Sequence, residues 1–158
     1  LLCRAEAYVH LGQYELAAAD LNIWQKATCN EVYTNGGVTY TLATLTPAII
    51  NDFFGNFDYA PVPLGEKGVR SIKKKLNPQG FTVTAGDQEN FIHCVLHFRR
   101  LENLHDGQRW VDIKRYGIEV EHNRDGYATS EILKVNDPRR ALQLPQDVID
   151  AGLAGNPR

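Results

Sequence analysis

His93 and His97 stand four residues apart, so a helix carrying both would offer two imidazoles to a metal from one face. His105 follows with Glu102 nearby, but no glutamate adjoins the first histidine and spacing fixes no third ligand. Cys94 leaves that face on an ideal helix. We read these histidines as helix-packing or surface residues and expect no metal. Glu102 and Asp106 form a carboxylate pair of the kind that does acid–base work in glycosidases. Arg99, Arg100 and Arg109 flank them and would hold both groups ionised, which argues against proton transfer. No nucleophile elbow, phosphate-binding loop or dinucleotide fingerprint is present. Neither an enzyme nor a cofactor is expected. Lys73-Lys74-Lys75 reads as a solvated basic run.

The densest aromatic tract is Phe53-Phe54-Gly55-Asn56-Phe57-Asp58-Tyr59. Sugars present flat apolar C–H faces and polar edges. Aromatic rings suit those faces, while Asn and Asp exchange hydrogen bonds with hydroxyls. Asn56, Phe57, Asp58 and Tyr59 are therefore the candidate carbohydrate contacts. Tyr59 is the best of them, because phenylalanine lacks a polar handle. Phe53, Phe54 and Phe57 have the competing role of anchoring this stretch to the core, and we favour that role for them.

These residues need elements to position them. Leu1, Ala5, Tyr8 and Leu11 recur at helical spacing, and Gly12 ends the run as a residue just past a helix would. Tyr14, Ala17, Ala18, Leu21 and Trp24 form the face of a second helix. Residues 1–27 thus predict a helical hairpin whose string Ala7 to Ala17 resembles the centre of a tetratricopeptide repeat. Such a hairpin cannot bury its apolar face alone, and no second copy follows. Residues 28–87 read as a loop-rich insertion. Its turn signals are Asn35-Gly36-Gly37, Pro61, Pro63, Gly65, Gly68 and Asn77-Pro78. Within it Val38–Leu42 and Phe81–Thr84 are candidate strands, and Pro47 opens a short helix. Residues 88–158 read as closing helices and a tail of the same domain. Asp87 is the expected N-cap of a helix running toward Gly107, and a shorter helix runs from Arg109 to Tyr116. The tail from Glu119 is mostly loop, broken by Gly126 and Pro138, with one helical turn from Gln146 to Ala151. The fold class expected is mainly α.

Composition agrees with a globular chain. Of 158 residues, 43% are hydrophobic, enough for a core and too many for disorder. Seventeen basic residues against 19 acidic ones give a net charge of −2, which lacks the footprint of a nucleic-acid binder. No apolar run is long enough to span a membrane. Cys3, Cys29 and Cys94 form no CxxC and read as small buried hydrophobes, although one disulfide remains open. The chain contains no methionine and begins inside a helical pattern, so we expect a piece of a longer protein.

Three segments together resemble the C-terminal part of SusD/RagB-type proteins, the nutrient-binding lipoproteins of the Bacteroidetes outer membrane. They are the hairpin Leu2 to Asn22, the motif Phe98-Arg99-Arg100-Leu101-Glu102-Asn103-Leu104-His105-Asp106-Gly107-Gln108-Arg109-Trp110-Val111-Asp112, continuing to Gly117, and Asn136-Asp137-Pro138-Arg139 with Leu144-Pro145-Gln146-Asp147 and the ending Asn156-Pro157-Arg158. The middle motif is the specific one. It departs from the family mildly, with Asp106-Gly107 where Glu-Gly is common. The resemblance implies a SusD-like scaffold with no catalysis. It implies capture of an extracellular glycan at the cell surface, with delivery to a SusC-like TonB-dependent transporter. It also implies outer-membrane anchoring through a lipidated cysteine upstream of this chain. A peptide-capturing member of the family and a tetratricopeptide-type protein-interaction module are the alternatives.

Arg99, Glu102, Asp106, Arg109 and Asp112 make a mixed-sign set over Trp110. We expect it to be a structural network that locks the last helices onto the preceding ones. Replacing Arg109 by alanine should lower thermal stability while leaving ligand affinity nearly intact. A melting curve matching wild type refutes that role.

Overall fold

The computed structural model describes residues 1–59, 72–122 and 131–156. The turn signals at Pro61, Pro63, Gly65, Gly68 and Gly126, and the closing Pro157-Arg158, lie outside the described residues. The described chain is helix-rich, with six α-helices and two small antiparallel sheets. It divides into two compact units, Leu1–Asp58 with Thr82–Arg109, and Tyr59–Phe81 with Trp110–Arg158. This division does not follow the segments 1–27, 28–87 and 88–158 read from sequence.

In the first unit, α1 (Leu2–His10) and α2 (Tyr14–Thr28) form a helical hairpin. Gly12, at φ +71°, ends α1. Its N–H donates to the Val9 carbonyl and that of Gln13 to the Tyr8 carbonyl, the pair of bonds that closes a Schellman turn. Ala5, Val9, Ala17, Ala18 and Leu21 are buried, and their small or branched side chains let the helices approach closely. The partner that seals this face is α4 (Asp87–Glu102), which arrives much later in sequence and packs against α1. Phe91, Ile92, Val95 and Leu96 of α4 are buried. The Phe91 ring lies 4.9 Å from that of Tyr14, and the Phe98 ring 4.8 Å from that of Trp24.

Two ion pairs frame this packing. Arg4 Nε and Nη2 donate to Asp20 Oδ2 and Oδ1 at 2.8 and 2.7 Å, a bidentate bridge from α1 to α2. Arg99 Nη1 donates to Glu6 Oε2 at 2.8 Å and ties α4 to α1. Hydrogen bonds from Arg4 hold the Asp20 carboxyl below the usual carboxylate range, against the opposing effect of burial.

The insertion is more ordered at its start than the sequence suggested. β1 (Val32–Asn35) pairs antiparallel with β2 (Val38–Thr41) around Gly36-Gly37. Both glycines have positive φ, +57° and +79°, as a type I′ hairpin turn demands. Asn22 and Gln25 of α2 hold the chain that leaves β2. The Asn22 amide donates to the Leu45 carbonyl and accepts from the Leu45 N–H, both at 2.8 Å, and Gln25 Nε2 donates to the Ala43 carbonyl at 2.7 Å. Helix α3 (Pro47–Gly55) starts at Pro47, with Thr46 Oγ1 accepting from the Ile49 N–H. Its Ile50 and Phe54 are buried, and it packs on α4.

Several local expectations need correcting. Phe81–Thr84 is not a strand; the partner of β2 is β1, because the glycine turn sets that pairing. Gly86 at φ +94°, not Asp87, is the N-cap of α4, and Asp87 stands in its first turn. The helix ends at Glu102, well before Gly107, and His105 beyond it has φ +77°. Glu102 and Asp106 are therefore not i,i+4 neighbours on one helix. Cys3 and Cys29 are exposed, and only Cys94 is buried; all three are free thiols. Burial pushes the Cys94 thiol up to about 12, which keeps it unreactive.

In the second unit, α5 (Gln108–Arg115), whose first turn belongs to the other unit, is followed by a two-stranded sheet. β3 (Val120–His122) and β4 (Glu131–Leu133) pair antiparallel, with Glu121 opposite Ile132. A 3-10 turn at Pro138–Arg140 and the short α6 (Gln146–Asp150) complete the tail. Gln143 closes that tail by accepting from the Asn156 N–H at 2.8 Å.

The Arg4–Asp20 bridge makes an acid-sensitive contribution. A carboxyl lowered in the folded state stabilises above its unfolded pKa of about 3.9, and that stability is lost as pH falls through the folded value. Asp20→Asn should lower the melting temperature at neutral pH by about 2–4 °C. The gap to wild type should shrink as the pH falls below about 4, where Asp20 of the unfolded chain takes up a proton, and close as the folded carboxyl protonates at lower pH. A gap that stays constant down to strongly acid pH refutes the account.

Candidate functional site

A cavity of about 450 Å³ opens in the second unit. Tyr59, Lys74, Lys75, Asn77, Glu119, Glu121 and Ile132 line it. Glu121 lies in β3 and Glu119 just precedes it, and both carboxylate residues line the cavity. Ile132 lies opposite Glu121 across the β3–β4 pair and supplies an apolar patch beside it. Tyr59 is 39% exposed, and the Lys73 ammonium sits 5.0 Å from its ring centroid. That contact fixes the ring at the rim of the cavity.

Asn77 is positioned by backbone. Its N–H donates to the Tyr116 carbonyl at 2.8 Å, and its side-chain amide reaches the Gly117 carbonyl at 3.4 Å. The approach is close enough that a Cβ on Gly117 would overlap the Asn77 carbonyl, and Gly117 has φ +57°. Only glycine satisfies both conditions. Tyr116 is fully buried, with the Phe81 ring edge-on at 5.3 Å and the Arg115 guanidinium 4.9 Å from its centroid.

The sheet that carries the carboxylates is held by Arg140. This buried guanidinium donates to the carbonyls of Lys134 and Ile118, each at 2.6 Å, of Leu133 at 3.0 Å, and of Ile113 at 3.4 Å. One planar fork thus joins the end of α5, the start of β3 and the end of β4. Next to it, Asp137 receives Arg139 Nε and Nη2 at 2.9 and 2.7 Å. Those hydrogen bonds from Arg139 lower the Asp137 carboxyl to about 2.

The four residues read from sequence as sugar contacts do not share one site. Tyr59 lines the cavity; Asn56, Phe57 and Asp58 do not. Phe57 is half-buried and meets the exposed Phe53 ring edge-on at 5.0 Å, while Phe54 is the one of the three phenylalanines that is buried. Asn56 is exposed, with its amide on Asp52 Oδ1 at 3.1 Å, and Asp58 is exposed as well. Lys74, Asn77, Glu119 and Glu121 were missed as a set. The alternating Glu119-Val120-Glu121 was the available signal, but it needs the β3–β4 pairing to acquire a face.

The expected arginine–carboxylate network is distributed differently. Arg99 bonds Glu6 rather than reaching along its own helix to Glu102, and Glu102 and Asp106 are exposed. Asp112 is buried on α5, and Arg109 and Trp110 are half-buried. His93 is buried, stacks on Phe54 at 6.2 Å and lies 3.7 Å from Glu89. Burial, with the positive charges of Arg100 and Arg109, lowers the pKa of His97. Among the described residues no cluster of three or more His, Cys, Asp or Glu could hold a metal, and no helix is long and apolar enough to cross a membrane.

No protein-family model matches the chain, and neither a curated protein nor a solved structure does.

Arg140→Lys tests the brace behind the cavity. A lysine ammonium has three donors at a point and cannot span carbonyls set around a guanidinium fork. We expect the variant to lose about 2 kcal/mol in chemical denaturation, because the buried Ile118 carbonyl and that of Leu133 lose a charged donor. A wild-type denaturation midpoint refutes the brace.

Proposed function

We propose that this chain captures an extracellular glycan and belongs to a SusD-like nutrient-binding protein of the outer-membrane surface. In that reading its tetratricopeptide-like α1–α2 hairpin is scaffold, and the glycan passes unmodified to a SusC-like TonB-dependent transporter. A lipid anchor upstream of the chain holds the protein at the membrane. Support comes from the motifs Phe98–Gly117 and Asn136–Arg139, which resemble that family. The observation that carries the binding half of the proposal is Tyr59 at the rim of a cavity with convergent polar groups. Asn77 can both donate to and accept from hydroxyls, the two glutamates accept, and the lysines donate. Tyr59 adds an aromatic surface at the rim.

One observation favours a second reading. Lys74 and Lys75 face the same cavity as Glu119 and Glu121, and charges of both signs also suit a peptide with its own amino and carboxylate groups.

Native affinity electrophoresis of the chain in polysaccharide-loaded gels tests the proposal. A soluble polysaccharide should slow migration, and Tyr59→Ala should weaken that binding about tenfold, the size of one lost anchoring contact. Reducing ends should not accumulate. If no polysaccharide retards the chain, the glycan reading fails. A response confined to a peptide panel moves the assignment to peptide capture.

A further inference from the structure

Every residue of the β1–β2 hairpin is exposed. Two-stranded hairpins are marginal alone in water, yet this one is held at its root by Asn22, Gln25 and the Leu42 N–H on the Glu31 carbonyl. It is an anchored arm whose strand residues are all exposed. On one of its faces the register places Tyr33 opposite Tyr40 and Asn35 opposite Val38. The tyrosine rings stack with centroids 5.0 Å apart and planes 15° from parallel. Tyr33 stays 52% exposed and Tyr40 44% exposed. From Val32 to Asn51 no residue carries a charge.

We infer that the Tyr33–Tyr40 face of this arm is a second carbohydrate site, selective for uncharged oligosaccharide. The inference deepens the glycan reading above and rests on it, but it uses none of the cavity residues. Tyrosine provides a large, rigid, amphipathic surface that loses little entropy on binding. In this stack each ring covers one face of the other and keeps an outer face open for the C–H face of a pyranose. Their phenol hydroxyls and the Asn35 amide meet its hydroxyls as donors and acceptors. The absence of charge selects the ligand class. A uronate, a phosphate or a nucleic-acid backbone would find no cation among residues 32–51. A neutral sugar asks for no counter-charge and leaves no ion to be desolvated.

The competing role for the pair is to stabilise the hairpin by cross-strand contact. The double variant Tyr33→Leu/Tyr40→Leu separates the two, because leucines keep an apolar cross-strand contact and remove the flat rings. Neutral α- and β-glucans and, in parallel, polygalacturonate are titrated into wild type, this variant and Tyr59→Ala. Melting temperature and the Gly36 and Gly37 amide resonances monitor the arm. We expect the double variant to keep its fold and to bind the neutral glucan about tenfold more weakly. Its polygalacturonate response should be unchanged. If it binds neutral glucan as wild type does while Tyr59→Ala is impaired, the arm site is overturned and the glycan reading stands. If wild type binds no polysaccharide, both fall. Loss of polygalacturonate binding instead overturns the stated selectivity. A change from dimer to monomer in sedimentation, with glucan binding intact, gives the surface to a second copy and overturns the site.

Discussion

Two short helices cannot hide their apolar faces on one another, and the first unit is organised by how that problem is solved. The α1–α2 hairpin has its turn fixed by Gly12, but its buried alanines and Leu21 need a third surface. Helix α4 supplies it with Phe91, Ile92 and Val95, and α3 then packs on α4. The Arg99–Glu6 pair belongs to the same contact. It is mostly withdrawn from water, so its loss would strand a buried charge as well as remove an attraction. The exposed arm is a dependent of this core, since Asn22 and Gln25 can grip it only while α2 is held in place.

The second unit rests on a different device. It has little sheet and few large buried side chains among its described residues, and a guanidinium does the joining. Arg140 donates to carbonyls of Ile113, Ile118, Leu133 and Lys134, and so ties α5 and the segments flanking the β3–β4 pair to one side chain. Gly117 adds a steric condition, for the Asn77 backbone occupies the space a side chain would need. These two residues bring the 72–81 segment and the β3–β4 sheet together, so the cavity lies downstream of both.

What the sequence made legible follows from the range of the interactions involved. The helical hairpin, the Pro47 helix and the α5 stop at Gly117 are written in local signals: apolar spacing, a proline in the first turn, a glycine at positive φ. The mainly helical class followed from them. Phe81–Thr84 alternates in the manner of a strand but joins neither sheet of the described residues, whereas Val32–Asn35 is a strand because the adjacent glycines turn it back on Val38. Strand identity belonged to the pair and could not be read from either segment alone. The candidate site was harder for the same reason. Tyr59 was visible as an aromatic next to polar residues. Its companions come from distant stretches: Asn77 is held on the Tyr116 and Gly117 backbone, and the strand of Glu121 is braced by Arg140, contacts that leave no local signature. The arginine motif was visible, but the partner of Arg99 lies on α1, and proximity in sequence pointed to Glu102 instead.

The connection between α2 and α4 has one further consequence. Both ends of residues 29–86 are tied to a packed helical scaffold, and the entropy of closing a loop grows only with the logarithm of its length. Doubling such a connection costs about 0.6 kcal/mol. The exposed Val32–Thr41 arm can therefore lengthen, shorten or change its surface at small expense to the core, whereas Ile50 and Phe54 farther along the same connection belong to that core. Freedom to vary thus lies in the arm, and constraint in the helices beneath it.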